Sequence, residues 1–148
     1  MVALYSQNII DMQFTTDKNK EIVVRFNKEV VEQGKMESFN ELVASNVINH
    51  AAPDGAPHGP DSMVHFIFHV LKAGFHNISV EILDQVAEGD KVTTRKAIHA
   101  THTGYFMGIP PSHKKVIINV IDIIRLHDGK YLEHWGMSNL SDVIREIS

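Results

Sequence analysis

The chain has 148 residues, 43% of them hydrophobic and 22% charged, which is typical of one globular domain and excludes a disordered chain. The formal net charge is -4, and no basic cluster is longer than Lys114-Lys115, so neither nucleic acid nor an anionic membrane is an expected partner. There is no cysteine, which excludes disulfides, thiolate metal sites and cysteine nucleophiles. With no signal peptide and no apolar run of about 20 residues, we expect one domain over residues 1–148 and a cytoplasmic location.

The first half of the chain predicts three helices. Apolar residues recur at helical spacing over residues 17–33, 37–44 and 61–73. Thr16 is the expected N-cap of the first helix, and Gly34 the residue that ends it. The segment 51–60 holds three prolines and two glycines and is predicted to be a loop. The buried stripe of the third helix is expected to consist of Met63, Phe66, Ile67, Val70 and Leu71.

The second half changes to a period of two and predicts four strands. They start at about residue 77 and then cover residues 91–103, 115–126 and 130–137, followed by a closing helix over 140–147. Helices followed by antiparallel strands predict an α+β fold with the helices on one face of a curved sheet. Such a sheet encloses a cone, which is a natural small-molecule pocket.

Asp122 is the anomalous residue of the third predicted strand. Alternation places it on the same face as Val120 and Ile124, where an ionised carboxylate needs a partner. His134 on the following strand is the obvious candidate. A carboxylate and an imidazole paired in an apolar pocket can perform general acid–base catalysis, although the same pair can equally be a structural hydrogen bond.

The loop between these strands decides whether Asp122 and His134 meet. A two-residue loop at Asp128-Gly129 pairs Asp122 with Trp135 and turns His134 to the opposite face. A three-residue loop over 127–129 places Asp122 directly across from His134. We favour the three-residue loop because it leaves the cavity face largely apolar around two titratable groups.

The remaining histidines do not predict a metal site. His65 and His69 have the i, i+4 spacing of helical zinc ligands, but the predicted buried stripe turns both away from the core. His99 and His102 are three residues apart on a strand and therefore point to opposite faces.

Four short segments of the chain resemble the motifs of a known family. The order of elements, helices and then strands, extends this resemblance over nearly the whole chain. The segments are T-H-T-G at 101–104, G-I-P-P at 108–111, D-I-I-R at 122–125 and D-G-K-Y-L-E-H-W at 128–135. Together they resemble the SnoaL-like polyketide cyclase (ester cyclase) family. The resemblance implies a nuclear-transport-factor-2-like cone, with three N-terminal helices packed on a strongly curved, mainly antiparallel sheet. It also implies a homodimer or homotetramer built through the outer sheet face.

The resemblance further implies a reaction and a set of site residues. Characterised members close a ring on a polyketide methyl ester by intramolecular aldol condensation, using acid–base residues and neither metal nor organic cofactor. We therefore expect a small apolar carbonyl or polyketide-like ligand and no cofactor. The family's acid–base aspartate follows E-H-W directly, and Gly136 stands there in this chain. The predicted catalytic residues are thus Asp122 and His134. The predicted ligand-binding residues are Asn49, Phe66, His102 and Val120.

Two other functions remain open at the level of sequence. A non-catalytic ligand-binding module could reuse the cone, in which case Phe66 and Met107 would fill it. Alternatively, relatives of this fold support hydroxylation or hydrolysis. Arg95 with Asp122 supplies part of an epoxide-hydrolase arrangement, but a second suitably placed aspartate is not evident.

Overall fold

The computed structural model describes residues 2–148, apart from the side chains of residues 13 and 14. The four long antiparallel strands follow the N-terminal helical stretches, as the sequence predicts, and a fifth, short strand lies between the second and third of these stretches. The helices are α1 (Val2–Phe26, continued by the π-helical segment Asn27–Glu32), α2 (Met36–Leu42), α3 (Pro60–Val64, continued by the π-helical segment His65–Leu71), α4 (Lys72–Gly74) and α5 (Leu140–Ile147). The strands are β1 (Val43–Asn49), β2 (Phe75–Glu88), β3 (Lys91–His102), β4 (Lys115–His127) and β5 (Lys130–Ser138).

The strands form one mixed sheet in the order β1-β5-β4-β3-β2. The four long strands are antiparallel neighbours, whereas β1 runs parallel to β5 at the edge. The predicted α+β class, with three N-terminal helical stretches on a mainly antiparallel sheet, is therefore confirmed. Strand β1 was not predicted, and the second helix ends at Leu42 instead of at the predicted residue 44. Val43 and Val47 are both buried, and their spacing of four fits a helix as well as an irregular edge strand.

The first helix is longer than predicted. It begins at Val2, so Thr16 lies inside the helix and the predicted N-cap is wrong. The helix is buried only in its second half, where Val23, Phe26 and Val30 pack against the inner face of the sheet. Phe26 stacks on Tyr131 of β5 with 4.4 Å between ring centroids.

The third helical stretch differs from the prediction in its buried stripe. Met63, Ile67 and Leu71 are buried at intervals of four, while Phe66 is 41% exposed and Val70 only partly buried. The π-helical turn over His65–Leu71 explains the difference, because its wider turn rotates residues away from the 3.6-residue period. The prediction that Phe66 is buried is wrong. His65 and His69 are exposed, as expected.

The two faces of the sheet differ sharply. On β3, each inward residue from Val92 to His102 is buried, and β4 shows the same alternation. The outer face nevertheless exposes large apolar side chains. These are Ile117, Ile121, Ile123 and Met137. Among residues 2–148, no helix combines the length and apolar content needed to cross a membrane.

Candidate active site

The turn between β4 and β5 has two residues. Asp128 and Gly129 have φ values of 49° and 75°, the left-handed geometry of a type I′ turn, and His127 pairs with Lys130 across it. The favoured three-residue loop is therefore wrong. The Asp-Gly dipeptide is the strongest short hairpin signal, and it prevails here.

A two-residue turn alone would place His134 on the outer face, but a β-bulge in β5 returns it to the inner face. The register shifts between Leu126, which pairs with Tyr131, and Arg125, which pairs with Glu133, so Leu132 is an extra residue. Beyond the bulge, Ile124 pairs with His134 and Asp122 with Gly136. His134 consequently shares the inner face with Asp122, as predicted, but lies diagonally across from it instead of directly opposite.

The two-residue turn places Tyr131 inside the protein, because it pairs Tyr131 with the inward-facing Leu126. The three-residue loop would put Tyr131 on the outer face with Arg125 and Glu133, yet its side chain is 2% exposed. Burial, and secondarily the charge of Asp122, raise the pKa of the Tyr131 hydroxyl well above its ordinary value.

The closest partner of Asp122 is a lysine that the sequence analysis missed. Lys96 Nζ lies 3.0 Å from Asp122 Oδ2, and both side chains are 7% exposed. Lys96 Nζ also donates a hydrogen bond of 2.6 Å to Asn27 Oδ1 of the helical layer. By contrast, His134 Nε2 is 3.8 Å from Asp122 Oδ2, which is too long for a hydrogen bond.

The surroundings of Asp122 keep it ionised. Burial alone raises the pKa of the carboxyl, but the positive charge of Lys96 and the imidazole of His134 outweigh it, so the pKa lies below its ordinary value. Asp122 Oδ1 is buried and has no hydrogen-bond partner among the described residues. The carboxylate of Asp122, balanced by Lys96, thus lies beneath His134.

Asn49 orients the imidazole of His134. Asn49 Oδ1 accepts the backbone N–H of Ala51 at 3.1 Å, and Asn49 Nδ2 donates to Ser62 Oγ at 3.0 Å, which fixes the direction of the amide. His134 Nδ1 lies 2.8 Å from the same Oδ1 and must therefore be the donor. In the neutral ring, Nε2 then carries the lone pair. Asn49, predicted to bind ligand, is seen holding the histidine.

Gly136 leaves room beside the free nitrogen of His134. A Cβ atom at this position would lie 3.1 Å from His134 Nε2 and 3.6 Å from Asp122 Cβ. The His134 side chain is 21% exposed and Gly136 is partly exposed, so the protein does not fully cover this side of the imidazole. In the family that the sequence resembles, an aspartate stands at the position of Gly136. In this chain the carboxylate nearby is that of Asp122, which pairs with Gly136 across the strands.

The other predicted ligand-binding residues are not all at this site. Val120 is partly buried on the same face, two residues before Asp122. Phe66 is on the exposed side of its helix. His102 is fully buried, accepts the N–H of Ser112 through Nδ1 at 3.1 Å and packs against Phe75, so a ligand reaches it only after a rearrangement.

Arg95 and the histidines do not extend the site. Arg95 lies on the outer face, where Nη2 pairs with Asp84 at 2.8 Å, so it does not join Asp122 in a hydrolase arrangement. Within residues 2–148, no three histidine, aspartate or glutamate side chains converge as a metal site would require. A groove of about 540 Å³ lies elsewhere, between α2, β1 and Pro60, and includes neither Asp122 nor His134.

Comparison with known proteins matches residues 21–147 to the profile of the SnoaL-like polyketide cyclases. The chain belongs to this family. The aklanonic acid methyl ester cyclase DnrD of Streptomyces peucetius is 24% identical over 127 residues, covering 84% of this chain and 88% of DnrD. The solved structure of a protein from Jannaschia sp. CCS1, provisionally named as a SnoaL-like polyketide cyclase, is 26% identical with a TM-score of 0.78, covering 90% and 93% of the two chains.

A second solved structure supports the fold. TsrD of Streptomyces laurentii superposes with a TM-score of 0.78 at 20% identity, covering 89% of this chain and 96% of TsrD. The resemblance read from the four sequence segments is confirmed, and family membership supports a cyclase-type function in general terms.

Proposed function

We propose that this protein is a cofactor-independent cyclase in which His134 Nε2 is the general base. The observation that carries the proposal is the hydrogen bond from His134 Nδ1 to Asn49 Oδ1, which leaves Nε2 as an acceptor beside the space at Gly136. A base held in one tautomer next to such a space meets the geometric requirement for abstracting a substrate proton.

The proposed reaction is an intramolecular aldol ring closure. His134 Nε2 removes an acidic proton from the carbon next to a carbonyl, and the resulting enolate attacks a second carbonyl of the same molecule. A carbon–carbon bond forms, and the new alkoxide takes the proton back from the imidazolium. Asp122, 3.8 Å from Nε2, stabilises the imidazolium while it exists, and Lys96 keeps Asp122 charged.

The exposure of Phe66 and Met107 favours an enzyme over a non-catalytic module whose cone is filled by side chains. Phe66 and Met107 would fill the cone in a purely structural relative, but they are 41% and 66% exposed. The proposed substrate is a small apolar polyketide-like compound with two reacting carbonyl groups. A chemical precedent is the aklanonic acid methyl ester in the name of DnrD.

The proposal includes a homodimer formed through the outer sheet face. Ile117, Ile121, Ile123 and Met137 are 47%, 53%, 37% and 83% exposed there. A contiguous apolar patch on a soluble domain commonly marks an interface. The inner face, which carries His134, stays open in such a dimer.

Ring closure of aklanonic acid methyl ester, followed by chromatography of the product, tests the proposed function. His134→Gln should lower kcat by at least about 100-fold, because it removes the general base. His127→Gln is the matched control, since this histidine lies in the same hairpin but its side chain is 72% exposed. Wild-type activity in His134→Gln would refute the assignment of the base.

A further inference from the structure

The face of α1 that packs on the sheet continues past the domain as an exposed apolar stripe. In steps of three and four residues, the stripe runs back from Val30, Phe26 and Val23 through Asn19, all buried. Its first four members are Val2, Tyr5, Ile9 and Met12, exposed by 82%, 72%, 52% and 65%. We call the helical segment from Val2 to Met12 the N-terminal arm.

The N-terminal arm is a feature of this chain beyond the family domain. The family match begins at residue 21, so the whole arm precedes it. Residues 2–10 contain no charged side chain, and the first charged residue of the arm is Asp11. Leu4 and Ile10 are also exposed on the arm, by 73% and 60%, but off the stripe. The stripe differs from them in its a/d heptad spacing, at which the side chains of two helices interlock.

We propose that the arm pairs with the arm of a second copy of this chain in an antiparallel helix pair. An antiparallel arrangement about a two-fold axis places Val2 opposite the partner's Met12 and Tyr5 opposite the partner's Ile9. The stripe is thus complementary to itself, as an isologous contact requires.

The sheet decides the direction of pairing. From Asn19 onward, the same face of α1 is covered by the sheet of its own domain. If the partner's α1 ran parallel to the arm, its continuation would collide with that sheet. If it runs antiparallel, its continuation leads the partner's domain away from the sheet. The partner's first turn then reaches a groove of about 280 Å³ beside Met12, Thr15 and Gly89 at the base of the arm.

The arm is prepared for pairing because it extends a helix that is already folded. An isolated helix of this length is marginal in water, since nucleation is costly. Here the buried half of α1 supplies the nucleus. The arm contact is isologous and separate from the proposed sheet-face dimer, and the two interfaces close into a tetramer if their two-fold axes meet at right angles.

Cross-linking tests the direction of pairing, since the natural chain has no cysteine. Val2→Cys and Met12→Cys proteins are mixed and treated with a short bis-maleimide. The mixture should give a covalent dimer. Each variant alone should not, because like positions at the arm's ends lie about 15 Å apart along the axis of an antiparallel pair. Strong cross-linking of Val2→Cys alone, or none in the mixture, would overturn the antiparallel pair.

Mass measurement by light scattering tests the surface itself. Ile9→Glu, on the stripe, should halve the mass of the assembly. Leu4→Glu should leave it unchanged, because Leu4 is 73% exposed on the same arm but off the stripe. An unchanged mass with Ile9→Glu, or an equal loss with both variants, contradicts the proposal. The readout requires no turnover, so it is independent of the cyclase assay.

Discussion

Lys96 and Asp122 form a buried ion pair whose two charges depend on each other. A lone carboxylate in this environment is strongly disfavoured, and the lysine 3.0 Å away compensates for the lost hydration. Because the pKa of Asp122 is lowered in the folded protein, the carboxylate contributes stability above its unfolded pKa of about 4. That contribution is lost as the pH falls through the folded-state pKa.

Lys96→Met should reduce the free energy of unfolding at pH 7 by about 3–5 kcal/mol, because it leaves the carboxylate buried without a counter-charge. In this variant burial dominates and raises the pKa of Asp122, so the deficit should shrink towards pH 4 as the carboxyl is protonated. Urea unfolding at the two pH values measures both effects.

The double variant Lys96→Met/Asp122→Leu is the control for that prediction. It removes both charges and should recover most of the stability at pH 7, since an apolar pair often replaces a buried ion pair without loss. Equal destabilisation of the single and double variants would show that packing, and not the unpaired charge, accounts for the loss.

The sequence contained the signal for Lys96, although only Asp122 was singled out. Both stand on the buried face of a strand, where Lys96 lies between the buried residues Thr94 and Ile98. The same period-of-two reasoning applied to the second predicted strand would have identified the lysine. That Asn27 completes the contact could not be predicted, because it depends on how α1 crosses the sheet.

The β4–β5 hairpin shows where pattern reasoning succeeds at the level of an element and where it stops. Alternation correctly placed Asp122 and His134 on one face. Asp128-Gly129 also carried the signal for a two-residue turn. The bulge at Leu132 has no comparable signature, since nothing in Tyr131-Leu132-Glu133 marks an extra residue. The correct face was therefore predicted from an incorrect loop.

Gly129→Ala should destabilise the protein by about 1–2 kcal/mol, the cost of a left-handed conformation in a residue with a Cβ atom. The effect is conformational, because the new Cβ would meet only Ile22 Cδ1 at an ordinary 3.7 Å. Thermal unfolding gives the measurement, with the adjacent exposed Lys130→Ala as control. A Gly129→Ala variant as stable as the control would argue against the left-handed turn.

At the scale of the whole molecule, the sequence predicted the fold better than the extent of its helices. Helix-then-strand order and the family segments were enough for the α+β sheet. The first helix was predicted to begin after Thr16, so the N-terminal arm was not predicted. The signal was present, since Val2, Tyr5, Ile9 and Met12 continue the buried heptad stripe. Edge strand β1 could not be predicted from local patterns, because its partner β5 is distant in sequence.

At the scale of the whole molecule, the proposed acid–base site lies on the inner face of the sheet, and the proposed assembly surfaces are the outer face and the N-terminal arm. Asn49 from β1, His134 from β5, Asp122 from β4 and Lys96 from β3 meet on the inner face. Four of the five strands therefore contribute to one cluster, and only the assembled sheet brings the four residues together. The central claim is that a carbonyl compound binds there.

A crystal structure with a slowly reacting analogue of aklanonic acid methyl ester tests this claim most directly. We expect density beside Gly136, with the acidic carbon about 3–3.5 Å from His134 Nε2, the separation of a reactive complex. Ligand density confined to the groove lined by Phe39, Val43 and Pro60, with none at His134, would contradict it.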